Sequence, residues 1–356
     1  MDDIFAIQDK IAISTTEKLK VAFEEKGSDR IIKSSTHNSE AYELYLKGRS
    51  HISRRGAFIM TGIHCFELAI DLDPGFAQAH AGFADANLMA AFYGLIPSDK
   101  VIYKAKKAAE TAIAIDPTRC EPYCSLGCYY TCFEWKWEEA EKNFLRSIEL
   151  NPNYAQAHFW YGNLYLGWAK GDFFRAETQG RIAIELEPHS SICHSVYASI
   201  LHTAGKFKEV LEACKVALEL DNTSFLAYQY KAWALLHLKR FPEAIQAFEH
   251  LMLISNRHSF AQNALIIGYC TIWRFDKARA LMNDLEERAN KEYVSCTVRG
   301  LSAAYLEEWD EAFAYLDEAF EQKDAILLSL KHEHWVPAAL KEDPRFQVLL
   351  DKIGFQ

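Results

Sequence analysis

Small and apolar residues recur along this chain in a fixed triplet: a small residue, an aromatic or small one four positions later, and a small or aliphatic one three beyond that. The triplet stands at Gly62, Phe66, Ala69; Ala105, Ala109, Ala112; Ala140, Phe144, Ser147; and Ala176, Gly180, Ala183. It returns at Val210, Cys214, Ala217; Ala244, Phe248, Leu251; Ala278, Met282, Leu285; and Ala312, Leu316, Ala319. The first members are 43, 35, 36, 34, 34, 34 and 34 residues apart. Residues at i, i+4 and i+7 share one face of a helix. Each triplet therefore predicts a helix whose small side chains admit a neighbour and whose larger ones fill the gap. These helices stop at Pro74, Pro117, Pro152, Pro188, Asn222 and Asn256, since proline cannot continue a helix and turns the preceding residue away from helical geometry.

A second helical pattern precedes each triplet. Phe83-Ala84, Leu126-Gly127, Tyr161-Gly162 and Tyr197-Ala198 set a bulky residue beside a small one at one phase, with short turns such as Lys170-Gly171-Asp172 and Gly205-Lys206-Phe207 between the helices. The expectation is an all-α solenoid of eight helix–turn–helix units over residues 39–322. Residues 1–38 are expected to form an amphipathic N-terminal helix and a polar linker. Residues 323–356 are expected to be a capping segment, with a terminal helix around Pro344 to Ile353. The second unit carries about nine extra residues around "FYGLIPSDK", which lengthen its inter-helix turn.

Eight units in phase resemble the tetratricopeptide repeat family. The closing "EDPRFQVLLDKIGFQ" resembles the end of bacterial signalling proteins of the TolB-like and adenylate-cyclase type, whose C-terminal half is such an array. The opening "DDIFAIQDKIAISTTEKLK" is similar to the helix that joins those arrays to an upstream domain. The resemblance implies a C-terminal fragment or a free-standing relative, and transfers no activity. It also implies a superhelix whose first helices line a concave groove. Asp85, Met89, Cys124, Cys128, Phe159, Asn163, Ser199, His202, Gln229, Trp233, His237 and Asn263 are then the groove residues. They are apolar or uncharged almost throughout. Relatives that grip acidic chaperone tails use a cationic clamp, of which only Asn163 has a counterpart here. Phe159 and Trp233 are candidate aromatic contacts for a peptide, or fillers of helix seams.

Composition narrows the function. A net charge of −10 without a Lys/Arg cluster argues against nucleic acid. No apolar run approaches the roughly 18–20 residues of a membrane span. Nine cysteines, an odd number, and the acidic Met1-Asp2-Asp3 start lead to the expectation of a reduced, cytoplasmic protein.

Cys120, Cys124, Cys128 and Cys132 form a ladder at steps of four, which spreads the thiols along a helix rather than onto one point and reads as small apolar filler. His80, His158 and His194 share one phase, which reads as packing. His332 and His334 flank Glu333 in "KHEHW", which reads as a solvated turn of the cap, with metal recruitment the lesser alternative. Neither a nucleophile elbow nor a phosphate loop occurs, so no enzyme activity and no cofactor are expected. The expected function is a scaffold holding a protein or peptide in the groove. The alternative is a sensory module that takes up a small ligand or metal and controls an upstream catalytic or DNA-binding domain. Self-association stays open, because Ile4, Phe5, Ile7, Ile11, Leu19 and Phe23 need a surface, most simply the first repeat.

Overall fold

The computed structural model describes residues 36–56 and 58–355, so the expected helix before the linker lies outside the described residues. Among the described residues there are eighteen α-helices and no strand, and no helix is long and apolar enough to cross a membrane. Sixteen helices form eight antiparallel pairs: α1 (Ser39–Arg54) with α2 (Phe58–Leu72), α3 (Ala77–Phe92) with α4 (Ser98–Ile115), α5 (Glu121–Tyr129) with α6 (Trp137–Leu150), and α7 (Ala155–Trp160) with α8 (Phe173–Leu186). Then come α9 (Ser191–Thr203) with α10 (Phe207–Leu220), α11 (Phe225–His237) with α12 (Phe241–Ile254), α13 (Ser259–Thr271) with α14 (Phe275–Ala289), and α15 (Cys296–Tyr305) with α16 (Trp309–Glu321). A 3₁₀ turn at Ala325–Ser329, α17 (Ala338–Glu342) and α18 (Pro344–Ile353) complete the chain.

The triplets are the seams between these helices. Phe66 is fully buried between Gly48 of α1 and Gly82 of α3, where an added Cβ would stand 2.7 and 2.5 Å from its ring. Phe144 sits the same way on Gly127, at 2.7 Å. Close approach of the backbones is what the glycines supply, and the ring fills the space they leave. The turns between units are equally regular. Asp73, Asp116, Asn151 and Asp221 each accept the backbone N–H two residues on, at 2.9–3.0 Å. His80, His158 and His194 donate from Nε2 to the carbonyls of Pro74, Pro152 and Pro188, at 3.0, 2.8 and 3.0 Å. Their shared phase thus ties each first helix to the turn before it.

Two features depart from a regular array. First, α5 and α7 run on into wide π turns, Tyr130–Glu134 and Tyr161–Ala169, which take an extra residue per turn and so rotate the residues beyond them. Second, the superhelix bends until its second and third units meet the seventh and eighth. The long turn of the second unit crosses to the seventh and eighth: a Cβ on Gly94 (φ 62°) would lie 3.5 Å from Phe260 and 3.8 Å from Ser295. The inserted residues therefore form this crossing. Trp135 of the third unit stacks on Phe320 of the eighth, ring centroids 5.1 Å apart, and Glu134 pairs with Lys323 at 3.6 Å. The helix α18 buries Phe346, Leu349, Leu350 and Ile353 against the end of the array, and Trp137 donates to the Gly354 carbonyl at 3.0 Å.

Phe144→Ala should cost about 3–5 kcal/mol because it empties a sealed seam. Phe174→Ala, at a position 84% exposed, should change stability by no more than about 0.5 kcal/mol. Urea unfolding followed by circular dichroism compares the two.

Candidate functional site in the concave groove

Side chains from the first helices of the second to eighth units face one another across a shared hollow. Asp85 accepts from Gln156 Nε2 at 2.9 Å and pairs with Arg49 at 3.7 Å. Met89 touches the Arg55 guanidinium. Met89, Cys128, Phe159, Asn163 and Ser199 line one crevice with room for about 60 Å³. Gln229, Trp233 and Asn263 line a second crevice of the same size, and Phe92, Tyr93, Trp168, Leu226 and Tyr230 border both. Ser199 donates to Tyr230 Oη at 2.7 Å, and Asn263 donates to Val298 O and Ser302 Oγ at 3.1 and 2.9 Å. His237 stacks on Phe207 with centroids 4.5 Å apart. Cys124 is buried beside Asp85 and lines neither crevice.

The space between these walls is taken by the chain's own residues 324–337. Ala325, Leu327, Leu328, Ser329 and Leu330 are fully buried. Trp335 stacks on Trp233, 6.1 Å between centroids and 24° between planes, and its carbonyl accepts from Tyr305 at 3.0 Å. Glu333 has no exposed surface at all. Its Oε1 accepts from Trp168 Nε1 at 2.9 Å and Thr203 Oγ1 at 2.7 Å, and its Oε2 accepts from His202 Nδ1 at 2.8 Å. His334 donates from Nε2 to the Thr203 carbonyl at 3.1 Å, and Lys341 Nζ donates to the Glu333 carbonyl at 2.9 Å. "KHEHW" is therefore not a solvated turn of the cap. Its glutamate is sealed in the groove, while His334 beside it keeps an exposed edge.

Burial alone would push the Glu333 carboxyl up; the neighbouring His202 and the three hydrogen bonds outweigh it and hold the group below the usual carboxylate range. Three imidazoles around it are pushed towards their neutral form. Burial, then the proximity of His202 and His334, pushes His237 down to about 4. Burial, then Lys331 and Lys341, does the same to His332, also to about 4. His334 is lowered by burial and by His202. Three members of the cysteine ladder are held as thiols: burial raises Cys120 to about 12 and raises Cys124 and Cys128 strongly. Among the described residues no group of three His, Cys, Asp or Glu is placed to hold a metal ion.

Sequence reasoning missed Glu333 and Trp168. Trp168 escaped because the π turn adds a residue that a 3.6-residue phase does not count. Glu333 had a usable signal: it follows "AILLSL" and precedes Trp335-Val336, a stretch too apolar for a turn in water.

A tetratricopeptide repeat family pattern matches residues 143–178. The cell division cycle protein 27 homolog B of Arabidopsis thaliana is 27% identical over 236 residues, covering 54% of this chain and 31% of that protein. Subunit 3 of the anaphase-promoting complex of Schizosaccharomyces pombe is 27% identical over 152 residues, covering 43% and 22%. The chain thus spans less than a third of the length of either curated relative. Among solved structures, the hetero-tetramer Cut9–Hcn1 of the same kind of complex superposes with a TM-score of 0.59 at 15% identity, over 90% of this chain and 57% of that one. The human IFIT1 dimer with m7Gppp-AAAA gives 0.55 at 14% identity, over 79% and 72%.

Two outcomes are expected. Glu333→Ala leaves three buried donors unpaired and should cost about 3–5 kcal/mol; hydrogen exchange should quicken across residues 324–337 before it quickens elsewhere. For pH, His237 and His332 bind fewer protons folded than unfolded, so stability falls as pH drops from about 6.5 towards 4. The Glu333 contribution, present above the ordinary carboxylate value, is lost as pH falls further through its lowered folded value. Thermal midpoints measured from pH 8 down to about 2 should decline in that order, and His237→Phe should flatten the upper part of the slope.

Proposed function

The chain is a tetratricopeptide-repeat protein, and on that premise we propose that it is a protein-interaction scaffold whose concave groove holds a segment of a partner. The observation that carries this reading is the groove's present occupant. A stretch of polypeptide already lies there, with its side chains and its main chain both recognised. The relatives support the scaffolding part, since two are named for a multi-subunit complex. The bacterial signalling setting rests on the sequence resemblance, a cytoplasmic location rests on the odd cysteine count and the acidic start, and self-association is proposed only as an accompaniment.

A protein partner suits the groove better than RNA, although human IFIT1 is known with a capped RNA. A net charge of −10 disfavours a phosphate-rich ligand. No catalytic role is proposed. The sensory alternative draws support from Asn163 Oδ1 and Trp233 Nε1, buried without hydrogen-bond partners beside the two crevices. With about 60 Å³ in each, the crevices suit a few water molecules rather than an organic ligand, which places this reading second.

A photo-crosslinking residue at Gln229, half-buried on the groove wall, should capture a partner protein in native extract, and the same residue at Phe174 on the outer surface should not. Capture from Phe174 alone rejects the groove as the binding surface.

A further inference from the structure

Resting on the groove reading, we infer that residues 324–337 are a stand-in for the partner, and that the partner segment is a peptide with a carboxylate, a flat aromatic side chain two residues later and an apolar residue three residues earlier. The seat itself imposes this chemistry. Trp168, His202 and Thr203 are buried almost completely, and all three donate to Glu333. A buried donor left without an acceptor is costly, so any replacement must bring acceptors to the same point. A carboxylate supplies two oxygens for three donors. A carboxamide supplies one oxygen and turns an N–H₂ group towards a donor. A phosphate adds a second charge where no Arg or Lys side chain of the wall is bonded to the occupant's charged group.

The second requirement follows from Trp233, whose face is covered by Trp335 two residues after Glu333. The third follows from Leu330, three residues before it and without exposed surface. The cis segment and a partner cannot be seated together, because about 60 Å³ is left on either side. Binding is an exchange. The segment can leave between two points where regular helix has ended, Lys323 (φ 57°) and Pro337, while α16 and α18 stay joined by Arg345–Asp310 and Lys352–Asp317 at 2.8 and 2.9 Å.

The test uses the full chain carrying Glu333→Gln and Trp335→Ala, and a fluorescent peptide of residues 326–337, read by anisotropy. The double variant should bind the peptide at least about tenfold more tightly than the wild type, whose cis segment competes. Peptides with Gln for the glutamate or Ala for the tryptophan should each lose about tenfold. Equal binding of all three peptides overturns the inference while leaving a peptide groove standing. No binding to a variant with wild-type circular dichroism overturns the groove reading itself. A dimer of the double variant in light scattering that dissociates on adding the peptide supports the exchange, and one that persists overturns it by naming a second copy as the occupant. If the variant fails to fold, hydrogen exchange on the wild type replaces it: excess peptide should speed exchange in residues 324–337, and unchanged rates overturn the proposal.

Discussion

A pair of short helices has two apolar faces and can cover only one of them with itself. Every other feature of this molecule stems from the need to cover the second. Each unit hands its exposed stripe to the next, and the small residues at Gly48, Gly82 and Gly127 set how closely the backbones can meet. Close contacts on one side and wider ones on the other bend the stack. The curvature leaves a concave wall dense in Trp, Tyr and Leu, which in water is a liability until something lies against it. Residues 324–337 do so.

What holds them there is more specific than apolar contact. A carboxylate with no exposed surface is tolerated only when its charge is met by well-aligned donors. Trp168, His202 and Thr203 come from two neighbouring units and converge on Glu333 only when those units are stacked correctly. The anchor of the segment and the register of the superhelix are thus one condition. The leucines supply the area of the contact, and the glutamate fixes its position.

The parts of this structure that repeat are legible in the sequence, because a repeated signal is read eight times. The triplets mark the seams, and the prolines with their preceding Asp or Asn mark the turns. The equal phase of His80, His158 and His194 reflects one bond made three times. Features that occur once are harder. A π turn has no sequence period of its own, so helical phase gives Trp168 no place in the groove. Glu333 reads as solvent-facing because a local pattern cannot know that the chain returns to a wall built more than a hundred residues earlier. The groove positions read as an open surface for the same reason.

An open solenoid behaves like a spring: small rotations at each seam add up, and the ends travel far for little energy. In this chain the turn at Gly94 reaches Phe260, and Trp135 lies on Phe320, so the coil is stitched to itself. Between the second unit and the eighth the coil therefore has no free end to travel. A twist at one seam has to be matched by opposite twists at the others, and the softness of the spring becomes the stiffness of a hoop. Stretching this protein, or widening it from within, has to begin by undoing those stitches.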